Sequence, residues 1–457
     1  MTKLKTDICV IGAGSGGLSV AAGAVQMGAR VVLIEKGGMG GDCLNSGCVP
    51  SKALLHAGQD GVSYADAMAH VRATIATIAP HDSQERFEGL GCTVIRAHAQ
   101  FTSPKTVEAG GIEITARRFV IATGSRPFVP PIDGLHDVPY LTNESLWDVT
   151  KAPEHLLILG AGPIGMEMAQ AHRRLGCEVT VVEAATALSR EDPEAAEVVV
   201  AALKGEGVNI IENDKVVRVS GTQGDITLYL ESGSQIRGSH LLVATGRVAN
   251  SDSLALEKGE INHSRGGITV DARLRTSNRR AYAIGDVVAG NLQFTHVAGY
   301  QAGVVIRSLL FGLPAKAATH HIPRATYTSP ELAQVGLSEA DARTTHGDKV
   351  EVVRAQMSGN DRAIATQRAD VGFIKVMVVK GRPVGVTIVG PDAGELITLW
   401  SLVLSSHLKM SQIAGMIAPY PTLAELNKRV AGAYFTPRLF ESAKVKTIVK
   451  LVQRFLP

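Results

Sequence analysis

At 457 residues the chain is too long for one ordinary hydrophobic core, so two to four domains are expected. Its 45% apolar and 19% charged residues are those of a folded rather than a disordered protein, and a net charge of +3 without a long basic run in the body leaves no footprint for nucleic acid. Five cysteines, Cys9, Cys43, Cys48, Cys92 and Cys177, are too sparse and odd in number for an oxidised secreted scaffold.

No signal-like stretch precedes the first apolar run, and no run reaches membrane-spanning length, so a cytoplasmic protein is expected. Thr6–Ile11 (TDICVI) reads as a strand ending in Gly12-Ala13-Gly14-Ser15-Gly16-Gly17. A helix to about Met27, a strand over Arg30–Ile34 and Glu35 follow. In this strand–turn–helix–strand unit Gly12 permits the tight turn, Gly14 lets a pyrophosphate approach and Gly17 lets the helix pack on the strand. The diphosphate rests on the helix N-terminus, and Glu35 accepts from a ribose hydroxyl.

Next comes GGDCLNSGCVPSK, Gly40 to Lys52. Two cysteines separated by four residues, set among glycines, run into a helix start with Pro50 suited to the first helical position. A thiol there feels the positive end of the helix, which favours the thiolate. A zinc half-site would need a second Cys/His pair, and none with zinc-like spacing follows. A structural disulfide at Cys43 and Cys48 is the other alternative and is not expected in a cytosolic chain, so the two read as a redox pair; Cys9, Cys92 and Cys177 read as buried small hydrophobes. A helical region is expected from about Pro50 to Ala79, a loop at 81–85, and strands from Thr93 to Phe119. Val120–Pro127 (VIATGSRP) closes the segment with a turn at Thr123-Gly124.

A second unit opens at His155–Leu159 and repeats the pattern with Gly160, Gly162 and Gly165, a helix, a strand over Glu178–Val182, and Glu183. Glu35 lies 23 residues after Gly12 and Glu183 lies 23 after Gly160, as an internal duplication requires, so one dinucleotide per unit is expected. Glu183 pairs with a free 2′-hydroxyl and repels a 2′-phosphate, which favours NADH over NADPH, with Arg190 as a partial offset. Ala244-Thr245-Gly246-Arg247 ends the second unit. Ala281–Val288 (AYAIGDVV) forms a further strand and turn at Gly285-Asp286, and Phe294–Ala298, with His296, opens a helix. From about His321 strands at 351–355, 372–379 and 384–389 and helices around 394–407 and 423–433 suggest a separate α+β domain.

The cysteine motif and the paired glycine motifs together resemble the class I pyridine nucleotide–disulfide oxidoreductases, the family of dihydrolipoamide dehydrogenase, glutathione reductase and mercuric reductase. The resemblance runs end to end. It implies an α/β fold of two Rossmann-like domains for FAD and NAD plus a C-terminal α+β dimerisation domain. The expected boundaries are 1–150 for the first FAD segment with the cysteine pair, 151–271 for NAD(P), 272–320 for the returning FAD segment and 321–457 for the interface domain. FAD is implied on Gly12, Gly14, Gly17, Glu35, Lys52, Thr123, Gly124, Gly285 and Asp286, with Asp286 on the ribityl chain. NAD(H) is implied on Gly160, Gly162, Gly165, Glu183 and Gly246. Electrons would pass from NADH to FAD and through Cys48, nearer the ring, while Cys43 exchanges with the acceptor. Lys52 would pair with Glu167 near the flavin. In the implied homodimer Tyr420 and Glu425 of the other subunit line the acceptor side; His296 reads as structural.

One departure concerns the acceptor. Where disulfide reductases of the family carry His-Pro-Thr and a glutamate, this chain reads Pro419-Tyr420-Pro421-Thr422-Leu423-Ala424-Glu425. A tyrosine ionises near 10 and a histidine near 6.5, so Tyr420 is a hydrogen-bond donor at neutral pH and not a proton shuttle. Such a tyrosine, like Arg190–Glu194, resembles mercuric reductases, yet no cysteine follows Cys177 in the sequence and a cysteine-bearing metal-carrier domain is not expected. The expected function is an NADH-dependent reductase of an unidentified acceptor, a small-molecule or protein disulfide or a soft metal ion. The alternatives are a mercuric or other metal-ion reductase, a dihydrolipoamide dehydrogenase with Tyr420 for the base histidine, and an NADH-linked redox-sensing partner protein. Residues 443–457 (AKVKTIVKLVQRFLP) form a basic amphipathic segment, either a helix docked on the interface domain or one that meets an anionic membrane surface or an acidic partner.

Overall fold

The computed structural model describes residues 2–456; Met1 and Pro457 lie outside the described residues. It divides into two compact units, one of the residues up to Ala185 with Val208–Ala318, the other of Thr186–Gly207 with the residues from Thr319 on.

The first unit holds a mixed seven-stranded sheet, parallel in its central strands, and a parallel four-stranded one. In the larger, Thr2–Ile11 lies between Val31–Ile34 and Ile112–Ile121, each parallel to it, with Ile11 beside Ile34 and Ile121. Thr93–Ile95 extends one edge, and Ala281–Ala283 pairs with the end of Ile112–Ile121. Ile8 and Val10 enter the core on one face and Cys9 and Ile11 that on the other, so both faces are buried and the strand reads as a continuous apolar run. Burial pushes the Cys9 thiol far up, as befits a packed hydrophobe. The second sheet runs Asn209–Ile211, Glu178–Val182, His155–Leu159 and His240–Val243, all parallel.

The second unit is a five-stranded antiparallel sheet in the order Pro323–Thr326, Glu331–Gly336, Arg382–Gly390, Phe373–Val379, Val350–Gln356. The helices Ala393–Ser405 and Glu425–Thr436 pack on it, and the fully buried Trp400 donates its Nε1–H to Asn427 Oδ1 at 2.7 Å. Thr186–Gly207, with its helix Pro193–Gly205, is fastened here by a buried ion pair: Lys375 Nζ lies 2.6 Å from Asp192 Oδ2 and 3.1 Å from Glu194 Oε2. The three interface strands expected from the sequence are present; Pro323–Thr326 and Glu331–Gly336 were not foreseen, because the buried polar Thr326 and Gln334 interrupt their apolar pattern.

Three local expectations are corrected. The helix after the cysteine loop begins at Cys48 and stops at Gln59, and a new one runs Tyr64–Ile78. Gly61 takes φ 66°, and Ser63 caps the restart by accepting from the Asp66 N–H at 3.2 Å. The expected loop at 81–85 is a 3-10 turn (Ala79–Asp82) leading into the helix Gln84–Gly89, capped by Ser83 and anchored by buried Phe87. The C-terminal helix spans Ala443–Phe455 and has no buried residue, so in one copy of the chain it is not docked into a core. Among the described residues no helix is long and apolar enough to cross a membrane.

Candidate active site

The two glycine turns are near copies. Gly12 and Gly160 both take φ 104°, and a Cβ there would lie 2.4 Å from Ala122 O and 2.7 Å from Ala244 O. A Cβ on Gly17 or Gly165 would meet the carbonyl of the turn glycine at 1.9 or 2.0 Å. By contrast Gly14 has nothing nearer than Gly41 Cα at 3.9 Å, and Gly162 has nothing within 4 Å. The N-termini of the helices Ser15–Gln26 and Pro163–Arg174 thus open onto space that a diphosphate fits. Glu35 accepts from Ala13 N at 2.6 Å and Gly37 N at 2.7 Å; Glu183 accepts from Ala161 N at 2.8 Å and Ala185 N at 3.0 Å. Each carboxylate is fixed at the end of the second strand with acceptor capacity left for a ribose.

Cys43 sits in the short helix Gly41–Asn45, and Cys48 is the first residue of the helix Cys48–Gln59. Both are thiols, close enough to share a proton. Its bond to Cys48 and its burial push the Cys43 thiol well up. Cys48 is lowered to about 6, first by Cys43 and then by Thr295 and the charge of Lys52, against the opposing effects of desolvation and Asp42. Thr295 Oγ1 is 3.4 Å from Cys48 Sγ and begins the helix Thr295–Phe311, so a Cys48 thiolate faces two helix N-termini.

The helix Cys48–Gln59 packs closely on Pro163–Arg174, with Gly58 near Ala171, and this contact brings Lys52 Nζ to 2.7 Å from Glu167 Oε2. The glutamate side chain is 5% exposed and the lysine 37%. Thr123 and Gly124 are stitched to Asn250: Thr123 Oγ1 donates to Asn250 O at 2.7 Å, and the Asn250 N–H donates to Gly124 O at 2.9 Å. Gly246 accepts from Phe128 N at 2.9 Å. Gly285 N donates to Gln301 Oε1 at 2.8 Å, and Asp286 accepts from Ser125 Oγ at 2.7 Å in surroundings whose desolvation pushes its carboxyl upward. His296 stacks on Phe294 at 5.4 Å.

Arg247 ties these pieces together, a role that motif reading did not assign. Its guanidinium reaches Asp42 Oδ2 at 3.1 Å and Ser125 Oγ at 2.7 Å, with Asp286 at 3.9 Å. Asp42 also accepts from Asn143 Nδ2 and Ser46 Oγ at 2.9 Å, and Trp147 Nε1 donates to Ser46 O at 3.1 Å. Arg247 and Ser125 lie inside quoted motifs and could have been singled out there; Asn143 and Trp147 carry no sequence signal.

Tyr420 and Glu425 belong to the other compact unit. Tyr420 is 71% exposed, and its hydroxyl donates to Asp361 Oδ2 at 3.0 Å. That bond holds the phenol above its usual range. Glu425 caps the same loop by accepting from Thr422 N at 3.4 Å. Among the described residues no cluster of three or more His, Cys, Asp or Glu side chains is placed to hold a metal ion.

With this geometry in hand, comparisons with known proteins are specific. Residues 6–302 match the pyridine nucleotide-disulphide oxidoreductase family, and residues 322–431 match the dimerisation domain of that family. The mercuric reductase of Bacillus cereus is 35% identical over 92% of this chain and 70% of its own length. That of Streptomyces lividans is 34% identical over 94% and 96%, and the dihydrolipoyl dehydrogenase of Bacillus subtilis (strain 168) 31% identical over 92% and 96%. The structure of the Cu(II) complex of HOCl-induced flavoprotein disulfide reductase RclA from Escherichia coli aligns with a TM-score of 0.88 at 29% identity, covering 94% of this chain and 99% of that one. The chain belongs to the pyridine nucleotide-disulphide oxidoreductase family, as an FAD-dependent enzyme that works with NAD(P)H.

Proposed function

We propose that the enzyme takes electrons from NADH through FAD onto the Cys43–Cys48 pair and delivers them to a thiophilic metal ion in preference to an organic disulfide. The observation that carries this reading is Tyr420, an exposed phenol bound to Asp361 where disulfide reductases of the family carry a histidine. Cleaving an organic disulfide expels a thiolate that must gain a proton, and a positioned acid–base group typically contributes a hundredfold to ten-thousandfold there. A phenol held above its usual range does not supply it. Reducing a metal ion requires no such proton, and two thiolates are ligands that soft ions select. The relatives named as mercuric reductases and the neighbour described as a Cu(II) complex support the same class of acceptor.

In this reading the first glycine turn with Gly12, Gly14, Gly17 and Glu35, together with Thr123, Gly124, Gly285 and Asp286, holds FAD. FAD when bound supplies two-electron exchange between the nicotinamide and the disulfide. Gly160, Gly162, Gly165, Gly246 and Glu183 hold the nicotinamide nucleotide, and the fixed Glu183 carboxylate favours NADH. Cys48, the thiol of low pKa, faces the flavin, and Cys43 keeps its proton until it exchanges with the acceptor. Lys52, anchored by Glu167, places a positive charge beside Cys48. The two thiols release two electrons and two protons as they close to the disulfide, enough for two Cu(II) to become Cu(I). Over the cycle one NADH yields NAD⁺, two Cu(I) and one proton.

The test compares NADH oxidation with Cu(II), Hg(II) and lipoamide as acceptors, in the unmodified protein, Cys43→Ser and Tyr420→His. The expected result is turnover of a metal ion, slow lipoamide reduction that Tyr420→His raises about a hundredfold, and no turnover in Cys43→Ser. Fast lipoamide reduction by the unmodified protein would overturn the reading and favour a dihydrolipoamide dehydrogenase.

A further inference from the structure

The C-terminal helix, Ala443–Phe455, is left out of both the site and the core. Only Val445 is even half-buried, while Phe455 is 73% exposed and Ile448 58%. At 100° per residue, Leu451, Phe455, Ile448, Val452, Val445 and Val449 share one arc of about 160°. Lys446, Lys450 and Arg454 lie on the opposite arc, Lys444 falls within the apolar one between Leu451 and Phe455, and no acidic residue occurs between Ser442 and Leu456. The preceding helical turn, Pro437–Glu441, adds exposed Leu439 and Phe440, and Ser442 caps the helix by accepting from Val445 N at 3.4 Å.

We infer that this helix docks in the plane of an anionic lipid surface and holds the enzyme there. The inference goes beyond the redox function and rests on none of its residues. Charge and shape select the occupant. A wide apolar arc with only cations around it matches acyl chains beneath negative headgroups, where Lys and Arg extend outward along their aliphatic stems. Thirteen residues make a helix of about 20 Å, short of the roughly 30 Å of a hydrocarbon core, so it lies in the surface and does not span. A second copy of the chain is the weaker occupant. Two such apolar arcs face to face would place the Lys444 of each helix, which lies within the arc, in the seam with no acid beside it. The match to the family's dimerisation domain also stops at residue 431, before the helix begins.

The experiment is sedimentation of the FAD-loaded full-length protein with phosphatidylglycerol–phosphatidylcholine vesicles and with pure phosphatidylcholine vesicles. The variants are Lys446→Gln/Lys450→Gln and Phe455→Ser, with analytical ultracentrifugation of each. Binding to the anionic vesicles alone is expected. It should weaken about fivefold for each charge removed, be abolished by Phe455→Ser, and decline with added salt, while NADH oxidation and oligomeric state stay unchanged. Failure to bind anionic vesicles, equal binding of the charge variant, or dissociation of the assembly by Phe455→Ser would each overturn the proposal. The last would assign the face to a second copy.

Discussion

At the scale of single residues, the contact between Cys43 and Cys48 dominates the ionisation of the pair, and the charges around Asp42 adjust it. Its carboxylate opposes ionisation of both thiols, and Arg247, 3.1 Å away, offsets that charge. Because the Cys48 pKa is depressed, the reactive thiolate is present above about pH 6 and lost as pH falls through that value. Iodoacetamide alkylation of the reduced protein, followed by mass spectrometry, should therefore modify Cys48 before Cys43, with a rate that rises through about pH 6. Replacing Arg247 with Gln leaves Asp42 less compensated, so the midpoint should move up and the rate at the wild-type midpoint fall about twofold. An unmoved midpoint would show that Arg247 only holds the loop in place.

At the scale of elements, legibility follows the range of the interaction. Each glycine turn was legible because strand, turn, helix and acid occur within one short stretch, and the structure returns the same dihedrals and the same Glu–backbone bonds in both. The Lys52–Glu167 pair was legible only through the family motif, since a lysine and a helix glutamate 115 residues apart carry no local signal. The helix restart at Ser63 and the helix after Ser83 were obscured by polar composition that serves as capping. Nothing in the sequence indicated that Thr186–Gly207 packs with the C-terminal sheet. That association depends on Lys375, 4% exposed, against Asp192, 1% exposed, partners 183 residues apart. Lys375→Met should cost about 3–5 kcal/mol by stranding a buried carboxylate. Adding Asp192→Leu should recover much of the loss, a coupling that thermal unfolding of the single and double variants measures.

For the whole molecule, the division of labour between compact units makes a prediction that no single site can. The thiols, Lys52, Glu167 and both glycine turns belong to one unit, while Tyr420 and Glu425 belong to the other, which carries the family's dimerisation domain. If the enzyme is a homodimer in which each cysteine pair is completed by the partner's Tyr420 and Glu425, two differently damaged chains can rescue one another. Cys43→Ser removes the exchange thiol but leaves Tyr420 and Glu425 intact. A chain with Tyr420→Ala and Glu425→Ala keeps the thiols but loses the acceptor side. Each homodimer should be inactive. Co-expressed chains that pair at random form heterodimers in about half of the molecules, each with one intact site of two, so about a quarter of wild-type activity should return. Sites completed within one chain would give no rescue, because each chain in the mixture is then broken by its own change. The comparison uses NADH oxidation with the same acceptor throughout, and differential affinity tags isolate the heterodimer so that its half-activity is read directly.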